Sequence, residues 1–174
     1  TNGSLAVNAA DLRIWGVELE ASISPVRSLT VGFNAAYTNV KVEKLALPAV
    51  LPSTIELGPD QVNKYSPSFS GTASISWTLP VRPVDGDLIF NADVFMTDDF
   101  GGQNGEKLPG YELANARLDW RSIAGTGLDL GVFVKNVFDV DYYSASSVLL
   151  SSFPTNSVYV GEPRTWGVSA KYSF

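Results

Sequence analysis

The sequence predicts an all-β chain, an antiparallel meander of about seven strands forming part of a transmembrane β-barrel wall. Three observations carry that expectation. Apolar and polar residues alternate along most of the chain, the links between alternating runs are short and long by turns, and the large aromatic residues sit at the two ends of the apolar faces. Period-two alternation marks strands with one apolar face. Short turns on one side with long loops on the other mark a membrane barrel, and rings at both ends of an apolar band mark two membrane interfaces.

The first run sets Trp15, Val17, Leu19, Ala21 and Ile23 against Glu18, Glu20 and Ser22. The second sets Leu29, Val31, Phe33, Ala35 and Tyr37 against Thr30, Gly32, Asn34, Ala36 and Thr38. In the third, Phe69, Gly71, Ala73, Ile75, Trp77 and Leu79 oppose a face of Ser70, Thr72, Ser74, Ser76 and Thr78. The fourth places Leu88, Phe90, Ala92, Val94 and Met96 together, and the fifth Ala114, Ala116, Leu118 and Trp120. The sixth carries Leu128, Leu130, Val132, Val134 and Phe138, with Asn136 as a polar intruder on that face. The seventh runs Arg164, Trp166, Val168, Ala170, Tyr172 and Phe174 against Thr165, Gly167, Ser169, Lys171 and Ser173. The links at SPVRS, PVRPVDGD and RSIAGTG are short, whereas 43–68, 98–111 and 139–163 are long and read as loops.

Seven antiparallel strands with one apolar face also describe a secreted β-sandwich, a binding or adhesion module in which that face is the core. The aromatic positions favour lipid instead. With the long loops placed on one side, Trp15, Tyr37, Phe69, Phe138 and Trp166 form one girdle, and Trp77, Phe90, Trp120, Tyr172 and Phe174 form the other. Small and aliphatic residues lie between them, over roughly the nine to eleven residues of a tilted membrane-spanning strand. The opposite faces carry Ser, Thr, Gly and Asn with the charged Glu18, Glu20, Asp93, Arg117, Asp119, Asp129, Lys135 and Lys171, which suits a hydrated lumen.

Composition narrows the chemistry. The 174 residues contain no cysteine and no histidine, which removes thiol nucleophiles, His-based triads and the usual zinc sites. A net charge of −6 argues against a nucleic-acid partner. The start TNGSLAVNAADLRIWG shows no basic run followed by an apolar run, so no signal peptide is expected in it, and no stretch approaches the length of an apolar membrane helix. Paired carboxylates could serve a glycosidase, but no apolar pocket that would raise one pKa is visible, and the reading is of a non-enzyme without cofactor or metal. Asp98, Asp99 and Glu106, and Asp139 with Asp141, are the carboxylate groups that could hold Ca²⁺; beside Gly and Asn they read as turn residues.

The stretches GVELEASISP (16–25), KYSPSFSGTASISW (64–77), LPGYELANARLDW (108–120), VKNVFDVDYY (134–143) and GEPRTWGVSAKYSF (161–174) resemble the C-terminal part of a TonB-dependent outer-membrane receptor. That resemblance implies the last portion of a 22-stranded barrel, residues 1–174 belonging to the barrel domain, cut in an extracellular loop before Trp15, with the plug and energy-coupling box outside this sequence. It implies an outer-membrane importer of a scarce nutrient such as a siderophore-type metal chelate. Its partners would be outer-membrane lipid, its own plug and remaining strands, a TonB-type energy-coupling protein, and the outer-membrane assembly machinery. A terminal strand with Trp166, Tyr172 and Phe174 resembles the signal read by that machinery. The loop aromatics Tyr65, Phe100, Tyr111, Tyr142, Tyr143, Phe153 and Tyr159 are the candidates to meet a ligand from outside.

Overall fold

The computed structural model describes residues 10–45, 66–81, 85–102, 107–150 and 153–174. Seven strands form one sheet: β1 (Ala10–Val26), β2 (Leu29–Leu45), β3 (Phe69–Thr78), β4 (Asp87–Thr97), β7 (Tyr111–Arg121), β8 (Leu128–Lys135) and β11 (Thr165–Tyr172). Each pairs antiparallel with the next in chain order, β1-β2-β3-β4-β7-β8-β11, and the sheet is open, with β1 and β11 at its edges. Two smaller ladders lie within long links. One joins β5 (Phe100–Gly101) to β6 (Lys107–Leu108), and the other joins β9 (Tyr143–Leu150) to β10 (Phe153–Val160).

Among the described residues Leu108 is the sole buried hydrophobic residue, while Val17, Val132, Trp166 and Val168 are all at least half exposed. A sandwich would hide those side chains between two packed sheets. Here the seven-stranded sheet is a single layer, and the sandwich alternative falls.

The short links form as their residues dictate. β1 and β2 are joined through Arg27 and Ser28, and Val26 pairs with Leu29. Between β7 and β8 a turn at Ile123–Gly125 is closed by the Thr126 hydroxyl, which donates to the Ile123 carbonyl at 2.6 Å.

The long links differ from expectation. Both 98–111 and 139–163 contain paired strands rather than loop throughout. The stretch 143–160 hides its strands because serines occupy both faces and erase the alternation, although its Val and Tyr content suits a β conformation. The sixth run is also shorter than its pattern: β8 stops at Lys135. Asn136 and Asp139 adopt left-handed φ values of 49° and 56°, so Phe138 lies beyond the strand in a turn, and Asn136 leaves the apolar face altogether.

β1 and β2 are each 17 residues long, well over the nine to eleven needed to cross a bilayer. β1 starts at Ala10, so strand, not loop, precedes Trp15. Above the Trp15 and Tyr37 level the sidedness of the pair inverts. The face that carries Trp15, Val17 and Leu19 continues upward as Arg13, Lys41 and Glu43, with Arg13 bonded to Glu43 at 2.9 Å. The face that carries Glu18 and Glu20 continues as Leu12, Ile14 and Val40. The apolar side changes over without any change of strand.

Candidate functional site: the outward face, the polar wall and the loop bases

Pairing brings the outward aromatics of neighbouring strands level. Tyr37 pairs with Phe69 and Trp77 with Phe90, and the Trp15 and Tyr37 rings lie 5.5 Å apart. The hydrogen-bonded row through Trp77 runs by way of Phe90, Leu118 and Val132 to Val168. On β11 the outward aromatics of that end are Tyr172 and Phe174, four and six residues past Val168 (172 − 168 and 174 − 168). The aromatic row therefore drifts from the hydrogen-bonded row by four to six residues over four strand-to-strand steps. With a rise of about 3.3 Å per residue and a spacing of about 4.8 Å between strands, this corresponds to strands tilted by about 35–45°. Transmembrane barrels have that tilt, and it is what keeps a girdle horizontal around slanted strands. Phe138, in the turn beyond β8, is 75% exposed.

The opposite face is a polar wall, and several of its charged side chains hold polar partners. Arg117 donates through Nε to both carboxylate oxygens of Asp119, at 2.9 and 2.8 Å, and through Nη2 to the Ser169 hydroxyl at 2.9 Å. The guanidinium thus spans from β7 across β8 to β11. It can do so because β8 has Gly131 beneath it, where a Cβ would stand 2.6 Å from the Arg117 Nη2 and from the Asp119 Oδ1. Asp93 accepts from the Asn115 amide at 2.8 Å, Lys171 stands opposite Asp129 in the ladder, and Asp129 accepts from the Ser122 N–H at 2.9 Å. Phe95, Leu113 and Phe133 also face this side. A hollow of about 580 Å³ lies over the wall, lined by Asp93, Asn115, Arg117, Phe133 and Lys135, with Tyr142 and Glu162 at its loop end. Glu18 and Glu20 are exposed on the same face of β1.

At the loop bases, the Asp99 carboxylate holds Lys107 at 2.5 Å and accepts from the Gly110 N–H at 2.7 Å. The Lys107 hydrogen bond, followed by the Gly110 N–H, lowers the Asp99 pKa, and Asp99 in turn raises that of Lys107. Glu106 lies outside the described residues. Asp139 pairs with Arg164, Nη2 to Oδ2 at 3.3 Å, and accepts from the Arg164 N–H at 3.0 Å, while Asp141 is exposed. Among the described residues no three carboxylates gather as metal ligands would.

The loop aromatics divide. Tyr111 and Tyr142 stack at 4.5 Å and Phe95 adds a third ring 5.9 Å from Tyr111, so these two tyrosines hold the link 136–164 against the polar wall. Tyr143 and Tyr159 are 41% and 57% exposed on the β9–β10 hairpin, and Phe100 is half-buried. Tyr65 lies outside the described residues, as does the side chain of Phe153.

Sequence reasoning missed Asn136. It is 4% exposed, and its amide is fully engaged. Nδ2 donates to the carbonyls of Val140 (2.9 Å) and Glu162 (3.2 Å), and Oδ1 accepts from the Val140 N–H at 2.8 Å. A polar residue interrupting an apolar face was the available signal.

A family model described as a TonB-dependent receptor-like β-barrel matches residues 1–137. No curated protein matches the sequence. Among solved structures, the ferric yersiniabactin uptake receptor FyuA from Yersinia pestis is similar over 96% of this chain and 24% of its own, with 21% identity and a TM-score of 0.73. The siderophore receptor PiuA from Acinetobacter baumannii covers 92% of this chain and 22% of its own, with 15% identity and a TM-score of 0.66. The ferric-catecholate import receptor Fiu from E. coli K12 covers 94% and 21%, with 19% identity and a TM-score of 0.66. The chain spans about a quarter of the length of these structures, and the likeness is one of fold.

Proposed function

Because this chain belongs to the TonB-dependent receptor β-barrel family, whose barrels sit in the outer membrane of Gram-negative bacteria, we propose that it is the C-terminal wall of an importer for a siderophore-type metal chelate. The observation that carries the reading is the aromatic row from Trp77 and Phe90 to Tyr172 and Phe174 at barrel tilt, with an aliphatic band beside it and a polar wall behind. The names of the similar structures, a ferric yersiniabactin receptor, a siderophore receptor and a ferric-catecholate receptor, favour an iron chelate as cargo. Tyr143 and Tyr159, with Phe100, Tyr65 and Phe153, are the aromatics proposed to meet it from outside.

In this proposal the rest of the protein supplies the plug and the other strands, and a TonB-type protein supplies energy through that plug. Trp166, Tyr172 and Phe174, on and just past β11, are proposed as the signal read by the assembly machinery. No step requires a reacting side chain; the wall binds lipid outside and the plug inside. The test is uptake of radiolabelled ferric chelates by cells carrying the full-length protein. Uptake should require the TonB-type partner and fall at least tenfold without it. Equal uptake with and without that partner would defeat the energised-import reading, and an absence of uptake across catecholate, hydroxamate and carboxylate chelates would defeat the cargo class.

A further inference from the structure

We propose that Asn136 and Asp139 form a register lock that sets how β11 pairs with β8. In a tight hairpin the turn fixes the register, as the two-residue link does for β1 and β2. The link 136–164 is too long to do this. The outward pattern does not do it either, because a slip of two residues keeps Trp166, Val168, Ala170 and Tyr172 on the lipid side. The polar face offers some discrimination: Gly167 lies under the Phe133 ring, where a Cβ would come within 2.7 Å of it, and Ser169 receives Arg117. Those contacts form only once β11 is in place.

The lock lies at the rung where pairing begins. Thr165 pairs with Lys135, and the chain on each side of that rung is bonded across. The Asn136 amide donates to the Glu162 carbonyl, and the Asp139 carboxylate accepts from the Arg164 N–H and binds its guanidinium. Farther out, Gly161 N–H donates to the Tyr142 carbonyl at 2.8 Å, and Glu162 N–H to the Tyr142 hydroxyl at 3.2 Å. The same turn is anchored to β7. Asn136 N–H donates to the Asn115 side chain at 3.1 Å and Val137 N–H to the Ala114 carbonyl at 2.8 Å. Both lock residues hold left-handed φ, a conformation that Asn and Asp adopt more readily than most residues and that turns their side chains across the link. A slip of two residues would move Glu162 and Arg164 by about 6–7 Å along the strand, out of reach of both.

The experiment is disulfide crosslinking in the full-length protein freed of other cysteines, with Val168→Cys combined in turn with Val132→Cys, Leu130→Cys or Val134→Cys. In the intact protein Val168 faces Val132, so that pair alone should crosslink efficiently. With Asn136→Ala and Asp139→Ala together, the ratio of Val132 to Leu130 or Val134 crosslinks should fall at least tenfold. Asp139→Asn on the otherwise intact lock keeps an oxygen for the Arg164 N–H and should retain the native pair. Crosslinking confined to Val132 in the double variant would overturn the lock. Should that variant fail to assemble, the single alanine variants carry the comparison, and a native-only pattern in both overturns it equally. The readout is strand pairing, so it stands or falls independently of whether the cargo is a metal chelate.

Discussion

Asp119 is 9% exposed, and its bonds to Arg117 are what permit a carboxylate there. Arg117→Ala leaves that group unpaired and should destabilise the refolded barrel by about 1–3 kcal/mol, whereas Ser169→Ala removes one hydrogen bond and should cost about 1 kcal/mol. Urea titration in detergent compares the two, and equal losses would mean the guanidinium acts mainly on Ser169. The Asp99 clip carries a pH dependence. A carboxylate whose pKa is lowered on folding stabilises the clip above its unfolded pKa, and the contribution is lost as pH falls through the lowered folded value. The Gly110 N–H should therefore remain protected from hydrogen exchange at the ordinary aspartate pKa of about 3.9 and open only in more acid solution. Asp99→Asn should abolish that acid transition.

At the scale of the element, the inversion on β1 and β2 marks where the strands leave the bilayer. Leu19 points outward in the middle of the aliphatic band, and Ile14 lies above the Trp15 level on the other face. Leu19→Arg should cost about 2–4 kcal/mol, as a charge at the bilayer midplane does, while Ile14→Arg should cost no more than about 1 kcal/mol. Refolding titrations of the full-length protein into lipid vesicles decide it, and comparable costs at both sites would refute the boundary. The alternation in the sequence marks the first run from Trp15, with loop expected before it; the continuous pairing from Ala10 to Leu45 establishes that one strand pair carries both halves.

For the whole molecule, an open sheet with a lipid-type face and two free edges is incomplete by itself, since unpaired edges recruit further strands. In the proposed barrel both edges find partners among the remaining strands. Deleting Phe174 from the full-length protein should lower the amount inserted in the outer membrane of cells. The refolded barrel should keep its ligand affinity, because Phe174 is at the end opposite the long links. One ring contributes roughly 1.5–3 kcal/mol of burial, so a loss in cells far beyond the loss of refolded stability marks recognition by the assembly machinery. Surface-accessible protein per cell, measured beside ligand affinity, separates the two effects; undiminished surface levels would rule out the signal.

Apart from the extension of β1 and β2 beyond Trp15 and Tyr37 and the end of β8 at Lys135, the sequence by itself determined the seven runs of the main sheet, their antiparallel chain order and the apolar face of each between the aromatic rows. These are local properties: period-two alternation and the spacing of turn residues are set along the chain, and the pleat turns them directly into faces. Tertiary structure alone decided what depends on distant segments meeting. The drift of the aromatic rows is visible only when Trp77, Phe90, Leu118, Val132 and Val168 are joined in one row, which takes five strands in register. The reach of Arg117 across Gly131 to Ser169, the stacking of Tyr111 on Tyr142, and the hold of Asn136 on the Glu162 carbonyl all join residues at least twenty-six positions apart. A hydrogen bond or ring contact of that kind has no period to betray it, because its geometry is set by the pairing of the strands that deliver it.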